Sequence, residues 1–435
     1  MEDILRSARA LADEAELYEV TATSVPVSFE ANRLKMLKSS EVRGAALRVI
    51  KNGRVGLASN TDLRNPSALV ENALAVAEFG AEARFVFPDR HDWPIVQVYD
   101  NAVENVATQE MVRLGEQMIA GIRRYNPEII CGAGVSKSVH ESCITNTRGG
   151  EARYKKTVMA LSIAGTLTRG TDILTIYEGD ASCQVIPDGA YLVDKVVERF
   201  RRSEELAEIR SCTCPVICTP RAVADILMAP MHLALNGKVV LQGASPLGDK
   251  IGQQVFDERY SLWDDGTLPY RPASSFCDDE GIVTRRTPLV ENGVLRAFLY
   301  DLQTAGLAGK ETTGSGFRSL GSLPSPSPTS WVLSEGSMSI EEMISDVKEG
   351  LLIDQIMGAW AGNVLSGDFS GNVHLGFKIE NGKLVGRVKD TMVAGNAFEI
   401  LKNDVVAFGN AGEWVNGSLK APAVYLSSLS ISSKG

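Results

Sequence analysis

Apolar residues recur at helical spacing in several parts of the chain. In residues 2–16 the apolar side chains recur at helical spacing and lie on one face of a helix: Ile4, Leu5, Ala8, Leu11, Ala12 and Ala15. Pro66 and Pro220 each precede similar patterns, and proline suits the first helical turn because that turn needs no N–H partner. The pattern therefore predicts helices over residues 2–16, 66–80, 108–125, 187–206, 220–235 and 339–350.

Other segments show the shorter periodicity of β-strands. Asn-Gly pairs at 52–53, 292–293 and 381–382 each separate two extended runs, and such pairs supply the positive φ angles of tight hairpins. Residues 131–168 resemble one long hairpin turned at residues 148–150, while residues 211–219 and 421–433 form apolar or alternating runs. These segments predict mainly antiparallel pairing.

The elements together predict an α+β protein of more than one domain. A chain of 435 residues exceeds what a single hydrophobic core normally supports. Helices and hairpins alternate up to about residue 212, and a glycine-rich, strand-rich sequence follows. We expect an N-terminal α/β domain over residues 1–212, with possible sub-parts 1–100 and 101–212, and a β-rich C-terminal domain over residues 213–435.

Charge and composition exclude several classes of function. The formal net charge is −10 and the pI is about 5.2, which argues against a nucleic-acid binder because phosphate contact needs a basic face. No long apolar stretch and no basic-then-apolar N-terminus is present, so we expect a cytoplasmic protein without a membrane partner. Seven cysteines, an odd number, are typical of reduced thiols.

Ligands for a transition metal are scarce in the sequence. It has four histidines, and His140-Glu141 begins a zinc-peptidase pattern that Ile144 and Thr145 fail to complete. The cysteines at 212, 214 and 218 lack a second downstream pair, so buried thiols are expected there. Ser345 and Lys348 match a serine–lysine nucleophile spacing, for which a solvated helix face is the simpler interpretation. The loop 314–318 is expected to be mobile and able to touch a peptide backbone, since glycine permits close approach.

Short motifs in a fixed order carry a family resemblance along nearly the whole chain. They are Gly44–Ser59 with the helix to Gly80, Asn146–Gly149, Leu247–Phe256, Ser366–Phe369, Gly376–Gly382 and Ala394–Asn396. In this order and spacing the chain resembles the TldD/PmbA family, whose members are often labelled modulators of DNA gyrase and form a two-component metallopeptidase system.

The resemblance also implies a branch of that family. The TldD-type subunit carries an HExxxH helix just after the domain boundary and a zinc-binding cysteine near its C-terminus. The corresponding helix here, Pro220–Leu235, has Leu227 and Met228 where His-Glu would stand and His232 near the second histidine, and no cysteine follows Cys277. The chain is thus similar to the PmbA branch, also called TldE, which lacks the metal and pairs with a TldD-type subunit around a peptide chamber.

The expectations from this resemblance are specific. We expect no cofactor and no catalytic or metal-ligating residue in this chain, a TldD-type zinc peptidase subunit or a second copy as partner, and an extended peptide as substrate. His232, Gly316 and Arg318 are the expected peptide-cleft residues. Two alternatives stay open: a stand-alone homo-oligomeric peptide-binding scaffold, and a hydrolase with a non-zinc nucleophile such as Ser345.

Overall fold

The computed structural model describes residues 2–434. Its helices are α1 (Glu2–Arg9), α2 (Pro66–Ala77), α3 (Asn101–Glu104), α4 (Thr108–Tyr125), α5 (Ala190–Arg202), α6 (Pro220–Ala234), α7 (Gly237–Leu241), α8 (Leu302–Ala308), α9 (Ile340–Asp346) and α10 (Ala397–Glu399), with a 3-10 turn at Val364–Ser366 and a π-helical turn at Ile400–Asp404. Its strands are β1 (Glu14–Glu30), β2 (Arg33–Leu37), β3 (Ser40–Lys51), β4 (Arg54–Asn60), β5 (Ile130–Asn146), β6 (Glu151–Arg169), β7 (Asp172–Ser182), β8 (Cys212–Cys218), β9 (Leu262–Asp265), β10 (Arg286–Glu291), β11 (Val294–Leu295), β12 (Gly316–Phe317), β13 (Ser325–Pro326), β14 (Trp331–Leu333), β15 (Glu349–Met357), β16 (Asp368–Glu380), β17 (Lys383–Arg387), β18 (Thr391–Asn396), β19 (Val405–Val415) and β20 (Leu419–Ser433).

The chain forms two compact units that do not follow a single cut in the sequence. The first unit contains the chain up to Val193 together with Gly266–Arg285 and Leu299–Thr329, which we call the returning segments. The second unit contains the remainder. In this partition the returning segments pack with the N-terminal part, and the predicted division at residue 212 stays a prediction. The predicted α+β class is confirmed, since helices and strands both contribute.

The first unit is built on a seven-stranded antiparallel sheet. Its strand order is β4-β3-β1-β5-β6-β7, and β2 pairs with the outer part of β1. Successive residues of β1 point to opposite faces, as in any strand. Leu17 faces a core formed with Leu47 of β3 and with Leu69 and Ala73 of α2. Helix α4 packs on the same sheet, against β5, β1 and β6.

The returning segments lie on the opposite face of this sheet. Tyr18, the neighbour of Leu17, belongs to a separate cluster with Ile144 and Ala152, and Cys277 and Leu320 of the returning segments complete it. Both faces of the sheet are therefore covered near the start of β1, one by helices and the other by irregular chain.

The second unit contains a closed barrel. Strands β8, β15, β16, β18 and β20 pair in a ring, in which β8 and β15 run parallel and the other neighbours run antiparallel. Strands β14, β9, β10 and β11 extend the sheet beyond β20. Helix α6 follows β8 and packs against β15, β19 and β20.

Local sequence signals give several elements correctly. All three Asn-Gly hairpins form, and both residues of each pair have positive φ. Helix α4 has the predicted bounds. The predicted helix over residues 2–16 is wrong beyond Arg9, because residues from Glu14 onward pair with β3 and β5. No helix in the described range has the length and apolar character needed to cross a membrane.

Candidate functional site

Helix α6 occupies the place where the family resemblance puts the zinc-binding helix. It begins at Pro220 after Thr219, whose hydroxyl donates a hydrogen bond to the Asp354 backbone oxygen (3.2 Å) and does not cap the helix. Leu227 is buried and Met228 is half-buried on this helix. Their side chains are a branched alkyl group and a thioether, neither of which matches the imidazole and carboxylate of the family pattern.

His232 also lies on α6, and its ring packs against an aromatic neighbour. The imidazole centroid is 6.3 Å from the Trp331 ring in an edge-to-face arrangement. Burial lowers the pKa of His232, so the neutral imidazole is favoured. One neutral histidine beside Leu227 and Met228 gives a zinc ion a single ligand, whereas protein zinc sites use three or four. The residues of α6 do not fit a zinc ion.

The other candidate ligands are no better arranged. Cys212, Cys214 and Cys218 lie on β8, but only Cys212 is exposed, and burial raises the pKa of Cys218 to about 12. His140 lies on β5 of the first unit. Across residues 2–434, no group of three or more His, Cys, Asp or Glu side chains is positioned to hold a metal.

Ser345 and Lys348 do not share a helical turn. The Ser345 hydroxyl donates to the Glu341 backbone oxygen (2.8 Å), a contact within α9, and the helix ends at Asp346. Lys348 is exposed beyond that end. The spacing in the sequence is therefore not accompanied by a serine–lysine contact.

Gly316 and Arg318, the other predicted cleft residues, lie in the first unit and contribute to a buried charge cluster. We define this cluster as Glu16, Arg48, Asp278, Asp279, Glu280 and Arg318. The guanidinium of Arg48 donates to Glu280 (2.6 Å) and Glu16 (3.1 Å), and Arg318 donates to the second oxygen of Glu16 (2.8 Å). The charged groups of these four residues are almost completely buried. These contacts join strands β1 and β3 to both returning segments.

Aromatic rings enclose the two guanidinium groups of the cluster. Arg48 lies 5.0 Å from the Phe85 centroid and 4.9 Å from that of Phe87, and Arg318 lies 4.4 Å from that of Tyr18. Such contacts favour a desolvated cation. In the described part of the chain, Nε and Nη1 of Arg318 have no hydrogen-bond partner. The ring of Tyr18 is thus a principal neighbour of Arg318 besides Glu16.

The acidic residues of the cluster exceed its bases, four carboxyl groups to two guanidiniums. Asp278 accepts hydrogen bonds from the backbone N–H groups of Glu280 (3.0 Å), Ile282 (2.9 Å) and Gly316 (2.8 Å). Burial raises the pKa of Asp278. Burial also raises the pKa of Glu280, although the nearby charge of Arg48 acts to lower it. Burial acts in the same direction on Glu16, but Arg48 and Arg318 outweigh it and lower the Glu16 pKa. Glu16 is therefore the carboxylate that stays ionised most readily.

Sequence reasoning identified Gly316 and Arg318 but missed the rest of this cluster. The Glu16–Arg318 pair joins residues 302 positions apart, and the Arg48–Glu280 pair joins residues 232 positions apart. The one local signal is the acidic run at 278–280. His232 belongs to the second unit, so the three predicted cleft residues are divided between the units.

Comparison with known families agrees with the fold. Residues 211–433, more than half of the chain, match the family model described as the PmbA/TldA metallopeptidase C-terminal domain, and residues 15–77 match that of PmbA/TldA metallopeptidase domain 1. The two matches include β1 and β3 of the first sheet and the whole barrel with α6.

Individual relatives match over almost their full lengths. An uncharacterised protein of Methanocaldococcus jannaschii is 29% identical over 400 residues, covering 90% of this chain and 91% of its own. The metalloprotease PmbA of Escherichia coli is 22% identical over 425 residues, covering 93% of this chain and 89% of its own. The crystal structure of TldE from Thermococcus kodakarensis superposes with a TM-score of 0.91 at 22% identity and 99% coverage of both chains, which shows that the fold is the same.

Proposed function

Because this chain belongs to the PmbA/TldD metallopeptidase family, we propose that it is the PmbA/TldE-type subunit of a cytoplasmic, two-component peptidase and has no catalytic zinc of its own. Helix α6 is the observation that carries this proposal. In the family pattern this helix would hold two histidines and a glutamate, but here Leu227 is buried, Met228 is half-buried and His232 packs on Trp331.

The proposed partner is a TldD-type chain that supplies the zinc ion. A zinc peptidase needs three protein ligands and a base beside the metal-bound water, and α6 provides one imidazole. A subunit of this kind can still form part of the substrate chamber. Its partner would then carry the hydrolytic step, while this chain would bind and orient the peptide.

The proposed substrate is an extended peptide. Strands β17 and β19 each pair with a single neighbouring strand of the second-unit sheet, apart from isolated bridges at Arg387 and Gly409, so the rest of each is a candidate edge for strand addition. Main-chain hydrogen bonds at such an edge bind peptides with little dependence on sequence. The assignment of His232, Gly316 and Arg318 to the peptide cleft stays a prediction.

The proposal is tested by purifying the chain alone and together with the TldD-type protein of the same cell. Zinc content, complex formation at several salt concentrations and hydrolysis of short unstructured peptides are measured for each sample. We expect little zinc and no hydrolysis for the chain alone. The complex should hold zinc and hydrolyse peptides, and a chelator should abolish that activity. The matched control is a TldD-type partner in which the glutamate of the HExxxH motif is replaced by glutamine. This variant should assemble with the chain but should not hydrolyse peptides.

The same experiment separates the alternatives. One equivalent of zinc with peptidase activity in the isolated chain would overturn the proposal, as would failure to recover a complex at any salt. Peptide binding by a homo-oligomer with no effect of the second protein would favour a scaffold. Hydrolysis that survives chelation and is lost in Ser345→Ala would favour a serine nucleophile, although the Ser345 hydroxyl donates to Glu341.

A further inference from the structure

The face of the first-unit sheet that carries the returning segments is open farther along the strands. In Cys131–Ser136, odd-numbered residues are buried and even-numbered residues are partly exposed. Strand β6 shows the same alternation over Met159–Ala164, where Ser162 is exposed. The odd-numbered residues face the helices. The even-numbered residues of Ala22–Ser28, Gly132–Ser138 and Val158–Ala164 therefore form a continuous surface, which we call the open face.

The open face is uncharged and made mostly of small side chains. Its twelve positions are occupied by serine, alanine and glycine, with one proline and one valine. Small side chains allow another backbone to approach the sheet closely. An extended segment could lie on this surface without displacing a bulky or charged group.

Two basic side chains stand at the boundary between the open face and the returning segments. His140 of β5 and Lys156 of β6 are directly opposite each other in the strand register. Lys156 is half-buried, and its ammonium donates a hydrogen bond to the Pro272 backbone oxygen (3.1 Å). Among residues 2–434 it forms no ion pair. This half-buried ammonium therefore has a neutral carbonyl as its protein acceptor and no protein counter-ion, and an anion bound beside it would supply one.

The acidic group nearest in effect to Lys156 is engaged elsewhere. Asp279 attracts Lys156 from beyond ion-pair distance, and its oxygens accept hydrogen bonds from the Arg318 backbone (3.0 Å) and the Tyr18 hydroxyl (3.4 Å). Burial raises the pKa of Asp279, and burial lowers that of Lys156 with only partial compensation by Cys183, Asp279 and Cys277. No protein carboxylate therefore occupies the position of a direct counter-ion.

His140 adds a second donor beside Lys156. Its ring centroid is 6.2 Å from that of Tyr154, and burial, followed by the charge of Lys156, lowers its pKa. A neutral imidazole can donate one N–H to an anion without adding to the charge. The pair thus offers an ammonium and an N–H at the end of an uncharged surface.

We propose that Lys156, with His140 beside it, binds the C-terminal carboxylate of an extended peptide that lies on the open face. This inference rests on the proposed peptide-processing function and adds to it the part of the substrate that this chain recognises. The carboxylate replaces the missing counter-ion of Lys156, and the small residues of the open face lie beneath the peptide backbone.

The test uses the whole chain and two peptides, N-acetyl-tetra-alanine with a free C-terminal carboxylate and the same peptide as its C-terminal amide. Binding is measured by saturation-transfer NMR titration. The free acid should bind at least about tenfold more tightly than the amide, as expected for a hydrogen bond to a charged group. Acetate should compete with the free acid.

Matched variants locate the effect. Lys156→Met should abolish the preference for the free acid, and Lys156→Arg should restore part of it. Lys155→Met is the control, because the neighbouring Lys155 pairs with Glu104 (2.7 Å) and Glu141 (3.3 Å). Melting temperatures show that the variants are folded.

Three results would overturn the inference: no saturable binding of the free acid, equal binding of the two peptides, or an unchanged preference in Lys156→Met. If acetate bound as tightly as the free-acid peptide, the attached peptide would add no affinity, and a peptide site would also be excluded. The complex could form and hydrolyse peptides while Lys156→Met leaves the preference for the free acid unchanged. That outcome would leave the proposed function intact and exclude the carboxylate site alone.

Discussion

Replacing Arg48 with methionine tests whether the buried charge cluster stabilises the first unit. Arg48 pairs with Glu16 and Glu280, and methionine keeps the apolar contact with Phe85 and Phe87 but removes the charge. Glu16 retains Arg318, whereas Glu280 retains only the Leu302 backbone N–H (2.7 Å). Removing one partner of a buried pair typically costs about 3–5 kcal/mol, and we expect a loss in that range.

Native-state hydrogen exchange followed by mass spectrometry is the suitable measurement, because a chain with two compact units need not unfold in one step. Amides of β1 and β3 report on opening of the first-unit sheet. Every 1.4 kcal/mol changes an equilibrium about tenfold, so their exchange should accelerate roughly a hundred- to several-thousand-fold in Arg48→Met. Amides of the barrel strands serve as an internal reference and should exchange as in the original protein.

The pH dependence follows from the unpaired carboxyl. The pKa of Glu280 is already raised by burial, and Arg48 opposes that rise. Removing Arg48 therefore raises the pKa of Glu280 further. A carboxyl with a folded-state pKa above its unfolded value destabilises the fold at high pH, and this penalty falls as pH decreases through the folded-state pKa. The difference between Arg48→Met and the original protein should narrow as pH falls from 7 toward the ordinary carboxyl range near about 4.

Two variants provide controls. Arg113→Met removes an exposed ion pair with Glu110, which solvent screens, and should leave the exchange of the β1 and β3 amides close to that of the original protein. The double variant Arg48→Met, Glu280→Gln removes the unpaired charge and should recover part of the lost protection. If Arg48→Met exchanged within a few-fold of the original protein at pH 7, the argument that the cluster holds the returning segments on the sheet would be refuted.

Two further predictions concern packing and thiol chemistry. A Cβ at Gly316 would overlap the Glu280 carboxylate, so Gly316→Ala should cost about 1–3 kcal/mol, measured by hydrogen exchange of the β1 and β3 amides. Gly132→Ala, whose added methyl meets only an ordinary contact, should change that exchange little. Cys212 is exposed whereas Cys218 is buried with a pKa near 12, so Cys212→Ser should remove the fast phase of a disulfide-reagent titration at pH 8 and Cys218→Ser should leave it.

The elements that the sequence predicts well are those specified by neighbouring residues. Each Asn-Gly pair determines its own turn, because the two residues adopt the positive φ angles that the hairpin needs. Helix α4 is likewise defined by the spacing of its buried residues, among them Met111, Leu114 and Met118. These signals do not depend on where the rest of the chain lies.

The predicted N-terminal helix shows the opposite case. Ala12 and Ala15 continue the helical spacing of Ile4 and Ala8, yet Ala15 lies on β1 and Leu11 is exposed. Residues from Glu14 onward pair with β3 on one side and β5 on the other, and β5 begins more than a hundred positions later. Pairing with distant strands outweighs the local preference, which a local pattern cannot anticipate.

The buried charge cluster was missed for a related reason. On β1, Glu16 alternates with Ala15 and Leu17, and on β3, Arg48 alternates with Leu47 and Val49, a pattern that ordinarily places the polar residues in solvent. The structure buries them because the returning segments cover that face with their own charges. A polar position in an alternating strand is thus ambiguous when the sequence has a long irregular segment still to place.

The same ambiguity does not affect α6, and this difference explains why the proposed function could be reached from the sequence. A zinc helix requires particular side chains at fixed spacing on one helix, so Leu227 and Met228 at the places of His-Glu could suggest the metal-free proposal without knowledge of the fold. The carboxylate site proposed at Lys156 has no such local requirement. It depends on a lysine of β6, a histidine opposite it on β5 and a returning segment whose Pro272 carbonyl accepts from the lysine, and only the folded sheet brings these together.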